Sequence, residues 1–384
     1  MKKAMKFWGV ASLLAGLVLS GCGESGLDEA EASKYYALVR EDGLYGYVDA
    51  AGDSVIEPQY EDAGDFSEGL AYVQVDDKYG YIDINGEIVI EPQFEASYNF
   101  SNGYAVFEKE GYFGLIDTQG EVVLEPEYDG IYYVGENGYA TYVESEAFGF
   151  LTIEDGVVVP AEYTAAGMFM ENGLAIVQNN EYYGMIDETG NLVVPLEYEY
   201  LEIFAENGLA VAQKDGKCGF INESGKEVLP FEYDSAYAFT EEGMAAVCMD
   251  EKWGFINEKG EMVIDAVYES VHSFTKNGLA AVRKDGLYGF IDTTGAVVIE
   301  PAYEFVSSFS ENGYALVSAE GGWTYIDETG NTISDTIYSN ADSFSEAGVA
   351  VVKENGSFGC ISPTGKMVVK AKYQSIGAFT KVKE

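Results

Sequence analysis

One histidine, four cysteines and 66 aspartates and glutamates are what this 384-residue chain offers for chemistry. The histidine, His272, stands in Val271-His272-Ser273-Phe274, and the equivalent stretches elsewhere in the chain carry Tyr, Ser or Asp at its place. It therefore belongs to no repeated site. A single His rules out a multi-histidine metal centre and leaves a Ser-His-Asp triad without support. Cys218, Cys248 and Cys360 are an odd set at scattered positions with no CxxC pair, so they read as buried free thiols. A Cys218–Cys248 bridge stays open for an oxidising compartment. Paired carboxylates at a fixed separation could hydrolyse glycosidic bonds. Among so many acids such pairs arise by chance, however, and no stretch departs from the general pattern to hold one. An Asp or Asn recurs at Asp49, Asp83, Asp117, Asp187, Asn222, Asn257, Asp292 and Asp327. Clustered oxygens there would suit Ca²⁺. Asn at two of the places favours instead a turn in which the side chain caps backbone N–H groups. No glycine pattern for phosphate or dinucleotide binding precedes a helix. No catalytic residue, metal or cofactor is expected.

Cys22 differs from the other three. Lys2, Lys3 and Lys6 precede an apolar run from Phe7 to Leu19, and the run closes in Leu19-Ser20-Gly21-Cys22. The order is that of an export signal, and the run falls short of the roughly 20 residues that span a bilayer. Leu-Ser-Gly-Cys resembles the lipobox of bacterial lipoproteins. The resemblance implies cleavage after residue 21, with Cys22 thioether-linked to diacylglycerol and acylated. It also implies residence on the extracytoplasmic face of the cell membrane. Residues 22–34 are small, acidic and poor in apolar side chains, and they read as a flexible lipidated tether.

Composition limits the partners. The formal charge is −45, and loss of three signal lysines makes it more negative. Such a surface repels nucleic acid and suits cationic partners. Hydrophobic content of 47% with 14% aromatics places the rest of the chain among folded proteins. The charge is uneven: Lys366, Lys370, Lys372, Lys381 and Lys383 crowd the C-terminus, whereas the first repeat is acidic.

The elements that must position everything come from one pattern repeated ten times over residues 35–384. An aromatic-Gly pair recurs at Tyr45, Tyr79, Phe113, Phe148, Tyr183, Trp253, Tyr288 and Phe358, with Cys218-Gly219 and Trp323-Thr324 as degenerate copies. A second aromatic follows each pair at constant spacing, as at Tyr60, Tyr233, Tyr303 and Tyr373, and a Gly-x-Ala mark opens the next strand. Each unit reads as three or four short strands. A β-branched run such as Val297-Val298-Ile299 closes at Pro301, which cannot donate to a ladder and so ends the strand or marks an edge. Units this small cannot close a core alone, but stacked they share one. The two recurrent rings are the expected anchors, each burying roughly 150–250 Å².

The aromatic-Gly pair, the Gly-[Phe/Tyr]-Ile-[Asp/Asn]-x-x-Gly turn and the Glu-Pro-x-Tyr element resemble the WG-repeat family. The family's Trp occurs here only at Trp253 and Trp323. The resemblance implies an all-β repeat architecture without a common catalytic role. Two arrangements fit ten units: a closed propeller-like toroid or an open superhelical array. Tyr35–Val39 begins in mid-unit and Phe379-Thr380-Lys381 ends in mid-unit, so the two ends could complete one another. The function that follows is a surface-tethered, non-catalytic binding or scaffold domain for proteins or cell-envelope polymers. A cell-wall or polysaccharide hydrolase working through acidic residues is the alternative.

Overall fold

The computed structural model describes Leu27 and residues 29–382, so the signal segment and Cys22 lie outside the described residues. Unit 8 shows the common plan. Its strands Ser270–Val271, Leu279–Lys284, Leu287–Asp292 and Val297–Tyr303 form one antiparallel sheet in chain order. Asp285 and Gly286 join the second and third strands, both at positive φ (52° and 84°). That is the primed two-residue turn whose twist matches a hairpin. The third and fourth strands are joined by the Asx-type turn read from the sequence. Asp292 Oδ1 accepts the N–H groups of Thr294 and Ala296 at 2.9 and 3.0 Å, and Gly295 takes φ 83°. The same pair of bonds recurs at Asp83, Asp117, Asp187, Asn222, Asn257 and Asp327.

The aromatic-Gly glycine has a steric reason. A Cβ on Gly289 would lie 2.4 Å from the carbonyl oxygen of Ile299 in the fourth strand. The register shifts there, from Tyr288↔Tyr303 to Phe290↔Ile299, so the fourth strand bulges against the glycine. Pro301 lies within this strand, not at its end, and the strand is the sheet's edge. Unit 9 tests the rule within the same chain. Thr324 replaces the glycine, and the sheet retains only Tyr314–Ala319 and Gly322–Asp327 as strands. Isolated bridges Trp323↔Tyr338 and Ile326↔Thr332 are what is left of the fourth.

The expected anchors need correction. The ring of the aromatic-Gly pair is half-buried at nine of its ten positions, and only Cys218 is buried there. The residue two places on is the deeply buried one: Tyr47, Tyr81, Phe150, Phe220, Phe255, Phe290 and Tyr325 are at most 1% exposed. Each of these rings meets a Phe of the following unit. Centroids lie 4.6–4.9 Å apart in the pairs from Tyr47–Phe66 and Tyr81–Phe100 through Phe290–Phe309 to Tyr325–Phe344. The second recurrent aromatic is buried at most places, as at Tyr233, but half-buried at Tyr128 and Tyr303.

Closure follows from how the ends meet. The first long strand, Tyr35–Glu41, pairs with Ser375–Ile376 and with Thr380–Lys381. Ser375–Ile376 thereby serves as the short strand of unit 1. No single sheet closes on itself; the units pack through hydrophobic clusters that each join two neighbours. Ten units have ten such clusters, and the tenth joins unit 10 (Val349, Cys360, Tyr373) to unit 1 (Ala37, Val39, Val48). An open row of ten would have nine. The array is a ring, which decides against the open superhelix. The charge asymmetry meets at the seam, where Lys372 pairs with Glu41 at 2.8 Å and Lys381 with Glu31 at 2.5 Å. The stretch read as tether therefore ends earlier than residue 34. Glu29–Ala32 is a helical turn, and Ala32 packs into the seam cluster.

Candidate functional site

After its short first strand a unit runs through a Phe, replaced by Val134 in unit 4, into a tight turn that leads to the second strand. In unit 9 this is Phe309-Ser310-Glu311-Asn312-Gly313. The N–H of Gly313 donates to Ser310 O and that of Ser310 to Tyr314 O, both at 2.9 Å, and Gly313 takes φ 80°. The Phe packs inward while the Glu is left at the apex in solvent. The Asn side chain reaches the next unit: Asn137 donates to Glu188, Asn172 to Glu223, Asn207 to Glu258 and Asn277 to Glu328.

These turns converge. One opening of about 820 Å³ is lined at once by Phe204, Phe239, Phe274 and Phe309, the equivalent residues of four successive units. Four successive units meet around one space only where their sheets approach the middle of the ring. The short first strands are thus inner and the bulged fourth strands peripheral. Glu202, Glu206, Glu241, Glu242 and Glu311 stand around the opening, with Lys276 among them. Glu136, Glu171 and Glu346 occupy the same turn position in units 4, 5 and 10, and all three are exposed. Lys276 takes that position in unit 8 and is held between the acids of both neighbours, 2.9 Å from Glu311 and 3.7 Å from Glu241. The bond to Glu311 raises its pKa. The mouth is thus a crown of carboxylates. Like charges around one opening focus the field there and draw cationic groups, within about 8 Å at physiological salt.

The residues singled out in the sequence fall elsewhere. His272 lies half-buried on the inner strand side of unit 8, its Nδ1 3.3 Å from Ser308 Oγ, and burial lowers its pKa. Cys218, Cys248 and Cys360 are free and buried, and burial raises each thiol's pKa. The recurrent Asp and Asn side chains cap turns. Among the described residues no group of three or more His, Cys, Asp or Glu side chains is disposed to hold a metal. The crown was not singled out from the sequence. Its signal was the Glu recurring every 35 residues ahead of Asn-Gly, at 136, 171, 206 and 311.

The model of the WG containing repeat matches ten consecutive segments, from residues 45–79 to residues 358–381. The chain belongs to the WG containing repeat family. Most matched segments run from one aromatic-Gly pair to the next, so the family's repeat begins on the strand that carries the pair. No curated protein matches the chain by sequence. Among solved structures it is similar to a eukaryotic initiation factor, at 11% identity and TM-score 0.49, over 89% of this chain and 98% of that one. It is also similar to the dihydro-heme d1 dehydrogenase NirN, at 12% identity and TM-score 0.40, over 95% and 78%. Hsv2p of Kluyveromyces lactis overlaps at 10% identity and TM-score 0.30, over 68% and 90%. Likenesses of this extent carry no argument about what the WG ring does.

Proposed function

We propose that this chain is a bacterial lipoprotein, lipidated on Cys22 at the extracytoplasmic face of the cell membrane. Its WG ring is a non-catalytic binding or scaffold domain for a protein or cell-envelope polymer. The carboxylate crown at the mouth carries the reading. It is a repeated, solvent-facing charge array at an opening where four units present equivalent side chains together. Concave repeat surfaces of this kind serve recognition. The side chains that chemistry would need support the non-catalytic part, since the turn aspartates bind backbone N–H groups and the thiols are buried. The crown selects for partners with cationic groups and against nucleic acid. The test is capture of envelope proteins and polymers by the full chain and by a Glu206→Gln/Glu241→Gln/Glu311→Gln variant. The partner should be lost or strongly reduced with the variant, and equal capture would overturn the assignment to the mouth. For the anchor, Cys22→Ser should abolish labelling by a fatty-acid probe; equal labelling of both proteins would refute it.

A further inference from the structure

Seven of the ten interfaces between units are stapled by the ring pair described above. The interface between units 3 and 4 has aliphatic residues on both sides, Leu115 and Val134. Its neighbour shows what is missing. Between units 4 and 5, Phe169 lies 4.6 Å from Phe150 and 4.8 Å from Tyr139. The equivalents one unit earlier are Val134, Leu115 and Tyr104. The inner strands match as well, Gly130–Val134 and Ala165–Phe169 showing the same register shift. Both rings of the pair are replaced by aliphatic side chains while Tyr104 is kept, and a cavity of about 530 Å³ lined in part by Val134 lies at this interface. Its volume is that of a small-molecule site, about 300–1,000 Å³.

The lining is chemically specific. Tyr98, Tyr104, Phe113 and Tyr132 contribute rings from both units, Asp129 a carboxylate, and no Lys or Arg is among the lining residues. Of the lining rings Tyr98 and Tyr132 are 49% and 54% exposed, so their faces are open to a ligand. Tyr132 is braced from behind by Phe148, stacked at 5.9 Å and 22°. Asp129 is held by the Ser145 N–H on its Oδ2 at 2.8 Å. Ring faces carry negative potential, and several rings around one space with a carboxylate beside them attract a bulky, weakly hydrated cation. The chain's charge of −45 adds to that field.

We propose that the cleft between units 3 and 4 is an aromatic cage for an organic cation of the quaternary ammonium class. The cage is independent of the crown, so it can fail or hold whatever the mouth binds. The test is calorimetric titration of the full chain with choline, with 3,3-dimethylbutanol as its uncharged isostere and cellobiose as a neutral sugar. Choline should bind saturably with one site, and the isostere at least tenfold more weakly. Tyr98→Ala and Tyr132→Ala should each weaken choline at least tenfold, and Asp129→Asn severalfold. Val134→Phe should return the missing ring, melt no lower than the wild type and abolish binding. Equal binding of choline and its isostere would reduce the site to a plain apolar cleft. Binding of cellobiose without choline would make it a sugar platform. No saturable choline binding, or binding undiminished in the tyrosine variants, would refute the cage.

Discussion

Asp49 and Asp187 hold the same turn in opposite electrostatic settings. Asp187 is half-buried, and the Thr189 hydroxyl together with backbone N–H groups lowers its pKa below the ordinary 3.8. Its stabilising contribution is therefore present above about pH 3.8 and lost as the pH falls through the depressed folded value. Asp49 is only 5% exposed, and burial outweighs its N–H bonds and raises its pKa. For a raised acid the sign reverses: the ionised form at neutral pH is a cost, relieved only in acid. Asp49→Asn should accordingly leave the melting temperature at pH 7 unchanged or raised, because the amide oxygen still accepts both N–H groups, as Asn222 and Asn257 do. Asp187→Ala should lower it, by an amount that shrinks below pH 3.8. Melting curves between pH 2 and 7 check both, and a drop of several degrees for Asp49→Asn would contradict the burial argument. The turn role was legible in the sequence because Asn substitutes for Asp. The true anchors were not. Tyr288 and Phe290 share one face of their strand, so alternation cannot separate them; only their distance from the interface's rim does.

Strands, hairpins and unit boundaries were legible because tight turns demand glycine at fixed places and the period repeats without a gap. The sequence also marked Trp323-Thr324 as degenerate, but not what the degeneracy does. The consequence is steric and lies across the sheet, where the bulged fourth strand needs the space a side chain would occupy. Gly289→Ala should therefore displace Val297–Tyr303 and remove hydrogen-exchange protection there, with the second and third strands of unit 8 keeping theirs. The converse change, Thr324→Gly, should raise protection across residues 332–338, where unit 9 lacks its fourth strand. Unchanged exchange in both variants would show that something other than the missing Cβ fixes the bulge.

At the scale of the ring, closure gathers what the linear sequence scatters. The crown residues lie 35 apart among 66 acids, and nothing in the sequence separates them from the rest until the units are arranged around an axis. The seam was better marked, since both ends stop in mid-unit with opposite charge. Closure is the central claim, and one crosslink tests it directly. Arg40 and Ser375 face each other as Cα partners across the seam, just as Lys353 and Asn340 do within unit 10. Antiparallel partners stand about 4.5–5.5 Å apart, within disulfide range. The double variants Arg40→Cys/Ser375→Cys and Asn340→Cys/Lys353→Cys should oxidise to similar extents, and the first should migrate as a chain looped end to end. If the pair within unit 10 forms its bond and the seam pair does not, the ends are apart and the ring is open.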